Sequence, residues 1–573
     1  AGDAITTGFY NTALGYEALS SNQTSNNNVA IGYQALRNNT AANNVAVGAQ
    51  TMDANTSGEQ NTAVGREALN ANTEADNNVA LGYRALKANT TGASNVAIGS
   101  QALDANTTAS NNTAVGDSSL TSNTEGTGNT AAGKDSLKDN STGNNNSAFG
   151  ENALANNTTA SSNSAFGQNA LLTSTTAANN TAIGHDAMRL TTTGGNNVAV
   201  GLDTLRSNTE GTYNTAVGSG AGISISTGQQ NTLIGGLAGD ALTTANENTA
   251  IGYGSLSADT QGKRSVAVGK SALGIQNFTS AVNNYNVAVG YDGGKSITIG
   301  TNNTIIGGLA GDALTDADHN AVLGYAALTS DTLGSRSIAI GSFALGSQNF
   351  TSATQSYNVA IGYNAGNDIT AGVQNTLVGG LAGDSFTTGT QNTLLGYNTG
   401  VSAVGANGRI AIGVSVVTTS DQRITVGYGG NTASLELDGS DTSWAAASDE
   451  RLKENIVSST AGLSFINDLR PVTYNWKKAK DVPSDLPQYV EGSNEPCLGQ
   501  TYGTELHGFI AQEVKAALDN HPEVKEGQSL WQTDETTVQT LAPAALVPML
   551  VKAIQEQQAL IESLTARIAT LEG

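Results

Sequence analysis

Apolar residues return along the first three quarters of the chain in short, near-identical bursts. Asn28-Val29-Ala30-Ile31-Gly32 is one and Asn61-Thr62-Ala63-Val64-Gly65 is another. A glycine closes each burst, 24 times from Gly15 to Gly413, and successive glycines stand 17 residues apart almost throughout. Four residues before the glycine stands Asn in 21 of the 24 copies; Ser265, Ser337 and Arg409 are the exceptions. The residue just before the glycine is always apolar, and two before that comes Thr, Val, Ile, Ser or Ala. These two share one face of a short strand, and the residue between them, Ala in 19 copies, faces the other way. A second apolar pair often follows, as in Ala18-Leu19 and Ala35-Leu36. Each 17-mer therefore predicts two short strands and two turns, one coil of a β-solenoid. Stacked at strand spacing, 24 coils give a rod of about 115 Å.

A strand that is apolar on both faces is buried on both. One face fills the thin coil, so the other is expected to pack on a second chain. The Asn suits turn geometry and can hydrogen-bond along a stack of identical turns. The glycine permits a tight bend. A longer period of 72 overlies the second half, where GGLAGD begins at Gly235, Gly307 and Gly379.

The pattern changes near residues 430–448. All seven prolines lie at Pro471 or later, and charged residues become denser, 45 in the first 447 against 28 in the last 126. A ladder needs every backbone N–H, so the proline-free part suits a sheet and the remainder a different fold. The expected organisation is a solenoid shaft over 1–430, a linker over 431–447 and a small α+β domain over 448–573. Its end carries Leu550, Ile554, Gln557, Ile561, Leu564, Ile568 and Leu571, a heptad seam that predicts a coiled-coil helix over 546–573. Three heptads are marginal alone and need support from the domain beside them.

Composition excludes several functions. A net charge of −23 and a pI near 4.4 leave no basic surface for phosphates, so nucleic acid is not an expected partner. No apolar run is long enough for a transmembrane helix, so no membrane insertion is expected. One cysteine, Cys497, allows no intrachain disulfide. No charged-then-apolar segment opens the chain, and a virion-attachment region upstream or on another protein is expected. Gly269-Lys270-Ser271 looks like the end of a phosphate-binding loop, but Arg264 occupies the place of its first glycine. Asp240, Asp312 and Asp384 recur in GGLAGD and read as loop turns rather than a metal site. His185 and His319 read as loop residues, and His507 as a possible helper of chemistry nearby. No cofactor and no metal are expected.

Two resemblances add to this reading. The bursts NVAIG, NTAVG and SIAIG resemble the head repeats of trimeric autotransporter adhesins of the YadA type, over about residues 10–430. That likeness implies a trimeric, left-handed parallel β-roll. The second domain carries SDERLKENI from Ser448, LRPVTYNW from Leu469, GFIAQEV from Gly508 and LVPMLVKAIQE from Leu546. These four motifs, in order, resemble the C-terminal intramolecular chaperone of phage tailspikes and tail fibres, the endosialidase type.

That resemblance implies trimerisation, folding of the shaft in register, and then self-cleavage before the Ser of the first motif. Carried over, the scissile bond is Ala447–Ser448, with Ser448 as nucleophile and Lys453 as its base. A serine hydroxyl needs such a base, and a lysine serves only when burial lowers its pKa. The plain alternative is that Ser448 caps a helix and Lys453 is a surface charge. A clamp of this kind meets a physical need, because 24 near-identical coils can pair in many wrong registers.

The expected protein is a homotrimeric phage tail fibre, found on the virion tail. Its partners would be other virion tail proteins and a host cell-surface receptor, glycan or protein. Its only enzymatic act would be a single-turnover self-cleavage. A bacterial surface trimeric adhesin is one alternative, although polar heptads stand where a membrane anchor would be required. A polysaccharide-degrading tailspike is the other, although no paired carboxylates are evident.

Overall fold

The computed structural model describes residues 1–438, 444–446, 450–498, 505–525, 530–533 and 538–573. The chain divides into two compact units, Ala1–Ala447 and Ser448–Gly573. The first is a mainly β solenoid.

Each coil contributes one short strand, three residues long in all but the last, Ile410–Val414, and beginning with Thr12–Leu14 and Val29–Ile31. Each strand pairs in parallel with that of the next coil, so Ala13 lies opposite Ala30 and Ala30 opposite Ala46. The central Ala points into the coil: Ala30, Ala46 and Ala97 are fully buried. The flanking residues point outward, and Leu81, Ile183 and Leu323 remain more than 40% exposed. Both faces of the strand are apolar, as expected, but one of them has no cover among the described residues of its own unit.

In most coils the second strand does not form; near the end of the shaft it does, where Gly400–Val401 pairs in parallel with Val417–Thr418. Ala18 and Leu19 are both fully buried, and Leu19 has a φ of 52°, as its counterpart Leu36 has 51°. Neighbouring strand residues point to opposite faces, whereas this folded-back turn sends both inward. Its amides bond to the next coil: the Leu19 N–H donates to the Ala35 carbonyl at 3.1 Å.

The closing glycine is fixed by geometry. At Gly99 φ is 139°, and a Cβ there would lie 2.2 Å from the Gly116 carbonyl oxygen of the next coil. We expect Gly99→Ala to destabilise the shaft by more than the ~1–3 kcal/mol of backbone strain alone, measured by thermal unfolding.

Two buried asparagine ladders line the stack, the second confined to the coils from Asn39 to Asn157. The Asn61 N–H donates to Asn44 Oδ1 and the Asn78 N–H to Asn61 Oδ1, both at 2.9 Å. The second ladder, seven residues after each glycine, joins side chains: Asn72 Nδ2 donates to Asn55 Oδ1 at 2.6 Å and Asn106 Nδ2 to Asn89 Oδ1 at 2.8 Å. Most of these buried amides are thereby paired by their copies in neighbouring coils.

Two coils carry four extra residues, Gly269 to Gly290 and Gly341 to Gly362. Beneath each, an Asp occupies the position seven residues after the glycine, which Leu242 and Leu314 hold one coil earlier. Asp259 accepts from the Gly262 N–H (2.9 Å), the Phe278 N–H (3.1 Å) and Gln276 Nε2 (2.7 Å). Asp331 repeats this with Gly334, Phe350 and Gln348. Burial pushes both carboxyls above the usual range, and these hydrogen bonds oppose it. Asp331→Asn would set one NH2 group against another at Gln348. The expected cost is roughly 1–3 kcal/mol, read as faster amide exchange around Phe350.

Near its end the stack reverses. Arg423–Tyr428 still pairs in parallel with Ile410–Val414, but Asn431–Glu436 returns antiparallel upon it, and Ala445–Ala446 pairs antiparallel in turn. Residues 431–436, expected in the linker, are therefore a strand. The reversal ends the parallel ladder.

Candidate functional site

The core of the second unit is built where its last three motifs meet. Helix α1 (Leu463–Asp468) leads into the strand Val472–Tyr474, which pairs antiparallel with Leu506–Gly508. Val472 of LRPVTYNW thus lies opposite Gly508 of GFIAQEV. A Cβ on Gly508 would come within 3.1 Å of the Tyr474 ring, so the motif glycine admits the motif tyrosine. Helix α2 (Ala511–Asn520) follows, then the single turn α3 (Pro522–Lys525) and the hairpin Trp531–Thr533 with Gln539–Leu541. Phe465, Val514, Leu518, Val524, Leu530, Leu546 and Met549 form the core.

Polar pairs brace this core. Arg470 Nε donates to Glu513 Oε2 at 3.0 Å, and a second bond to Oε1 completes a fork between two motifs. The guanidinium holds the Glu513 carboxyl below the usual range. Glu556 reaches back from the last helix to accept the Leu463 N–H at 2.7 Å, at the start of α1. Gly462 makes room for it, since a Cβ there would lie 2.4 Å from Glu556 Oε2.

His521 is buried against Phe465, its Nε2 2.8 Å from Asp468 Oδ2 and its Nδ1 2.8 Å from Glu523 Oε1. Hydrogen bonds to Asp468 and then Glu523 raise its pKa above the ordinary 6.5. The stabilisation is fully present below pH 6.5 and is lost as pH rises through the higher folded value. The Glu523 carboxyl is lowered, mainly by His521, so its share fades as pH falls below the usual carboxylate range. We expect the unit to melt a few degrees lower at pH 8.5 than at pH 6, and His521→Gln to abolish that difference.

Helix α4 (Val547–Glu572) has two different faces. Met549 and Ala553 are buried in the unit's core. The heptad seam is not: Leu550, Ile554, Ile561, Leu564, Ile568 and Leu571 are all exposed, Ile561 by 56% and Leu571 by 86%. From Gln557 onward every residue is exposed. The seam therefore packs on nothing within its own unit.

Of the site residues inferred from sequence, Ala447 and Ser448 lie outside the described residues. Lys453 is exposed, and its N–H closes the turn Glu450–Leu452 by donating to the Glu450 carbonyl at 3.0 Å. His507 is exposed and lies opposite Thr473 in the strand pair.

The weaker candidates fall on the shaft. Lys270 lies over the Tyr291 ring at 5.4 Å, and His185 Nδ1 is 3.8 Å from Asp186. Asp240, Asp312 and Asp384 lie on separate coils of the shaft. Among the described residues no three His, Cys, Asp or Glu side chains converge as metal ligands, and no helix is long and apolar enough to cross a membrane.

A family model described as the chaperone of endosialidase matches residues 448–522. The match begins at Ser448 and spans the first three motifs, and it supports an intramolecular chaperone domain at this end of the chain. No curated protein matches the chain.

Proposed function

We propose that the chain is the trimeric shaft of a phage tail fibre, made with a C-terminal chaperone that sets the register of three chains and then cuts itself off. The observation that carries this is a pair of apolar surfaces with no cover in their own unit. One is the outward strand face of the shaft, where Leu81, Phe149, Phe166, Ile183 and Leu395 recur in line. The other is the α4 seam. Soluble monomers rarely leave so long an apolar row in water. The matched family is described both as a peptidase and as a chaperone, which supports trimer formation and cutting at Ala447–Ser448.

Lys453 fits the role of base only once assembled. In this reading a neighbouring chain shields Lys453 from water, as a base beside a serine nucleophile requires. Cutting then reports that assembly is complete. The released rod would present its loops to a host cell-surface receptor. Light-scattering mass of the purified protein tests the reading: three chains per particle support it, and a stable monomer with intact coils overturns it. Adsorption of the purified rod to bacterial cells tests the host-binding half.

A further inference from the structure

The 72-residue order provides an internal comparison of one surface site. Asp240, Ser257 and Ser271 in the first copy correspond to Asp312, Thr329 and Phe343 in the second. The second copy fills itself. Thr329 Oγ1 donates to Asp312 Oδ1 at 2.6 Å, and the Phe343 ring stands edge-on to Tyr325 with centroids 5.5 Å apart. The first copy does not. Ser257 Oγ donates instead to the Gly274 carbonyl at 3.2 Å, and Asp240 Oδ1 is buried with no hydrogen-bond partner among the described residues. Ser271 brings no ring to Tyr253, although Tyr253 and Tyr325 are similarly exposed, 59% and 53%. A cleft of about 370 Å³ results, lined also by Leu237, Ile275 and Lys295.

The lining has a definite chemistry. Tyr253 is 59% exposed, and its ring lies against Gly236, where a Cβ would sit 3.3 Å away. One ring face is thus seated on the backbone of the preceding coil. Ile275, 47% exposed, adds a second apolar wall. Two hydroxyls and a carboxylate supply polar edges. Lys295 is held by Asp292 at 3.2 Å, so the rim carries no unbalanced positive charge to favour an acid. Burial pushes the Asp240 carboxyl above its usual range, and backbone hydrogen bonds from Asp240 and Ala241 oppose it. Apolar walls with a few converging polar groups, at the small end of ligand-site volumes, suit one ring with an apolar face and a hydroxyl edge.

We propose that this cleft binds a neutral saccharide ring, stacked on Tyr253 and hydrogen-bonded by Ser257, Ser271 and the Asp240 carboxylate. The inference deepens the host-adhesion reading and rests on it for the biological source of the sugar. The test is a saturation-transfer titration of the full chain with glucose, galactose, mannose, rhamnose, N-acetylglucosamine and N-acetylgalactosamine. Ser271→Phe copies the second site into the first, so the fold already accommodates it. We expect at least one sugar to bind, and binding to fall at least about tenfold in Ser271→Phe and in Tyr253→Ala, with melting temperature and oligomeric state unchanged. No binding by any of the six, equal binding by Ser271→Phe, or loss of the oligomer in that variant would each overturn the proposal. Cell adsorption separates it from the wider reading. A rod that adsorbs to bacteria equally well with Ser271→Phe removes the cleft as the adhesion site and keeps the fibre. A rod that takes sugar in the cleft but adsorbs to no bacterium keeps the cleft and removes the fibre's host role.

Discussion

Chains carrying Ser448→Ala will remain whole at 58.0 kDa, while unaltered chains divide into pieces of 447 and 126 residues. In the reaction proposed here, Ser448 Oγ attacks the Ala447 carbonyl carbon as Lys453 takes the hydroxyl proton. The peptide C–N bond then breaks as the Ser448 nitrogen gains a proton, and water releases the resulting ester. Removing the hydroxyl removes the only nucleophile in this scheme, so the expected loss is complete rather than partial. Lys453→Met should also block cutting, because a methionine accepts no proton. Intact-mass measurement checks both variants. If the unaltered chain also stays whole, self-cleavage is wrong and the C-terminal unit is a retained cap, with the fibre reading untouched. If Ser448→Ala is cut, another group does the chemistry.

The second large effect concerns α4. Ile561→Asp together with Leu564→Asp should abolish the trimer and leave the shaft as aggregate. Both side chains are more than half exposed in the single chain, so the substitutions remove nothing from the unit's own core. In a three-chain seam each buried Leu or Ile contributes about 1.5–3 kcal/mol, and replacing six of them with charges reverses the sign. Sedimentation of the refolded protein gives the readout. Retention of a soluble trimer would show that the seam is idle. The double variant also joins the two predictions. If a neighbouring chain buries Lys453, the untrimerised protein stays uncut although Ser448 is present. Cutting in a monomer would separate catalysis from assembly.

Much of the shaft was legible because its signals are local and repeated. A period of two around Ala30 places one face inside, and the closing glycine forces the turn. The pair Ala18-Leu19 was misread, since two adjacent apolar residues suit a strand as well as an inward turn, and only the positive φ of Leu19 separates them. The second asparagine ladder had a signal: Asn39, Asn72 and Asn106 each stand seven residues after a glycine. It was hidden by the abundance of Asn elsewhere in the coil. The strand Asn431–Glu436 reads as linker in sequence because nothing in its own composition announces antiparallel pairing across Gly429-Gly430. In the C-terminal unit the motifs were visible but their partnerships were not. Arg470 and Glu513 are 43 residues apart, and no periodicity connects them. The cleft beside Tyr253 was beyond sequence reading, because it is defined by what Ser271 fails to fill.

The interchangeable coils carry a consequence for how such a rod changes length in evolution. Each coil offers its neighbour the same carbonyls, amides and asparagines that it receives. Loss or gain of one 17-residue unit therefore rejoins compatible edges, and rod length varies in steps of about 4.8 Å. The enlarged coils restrict this freedom, because each requires the aspartate one coil earlier. Across them the heritable unit is the whole 72-residue block, worth about 19 Å. Duplication of that block also duplicates its surface site, which leaves one copy free to diverge, as Ser271 and Phe343 have done.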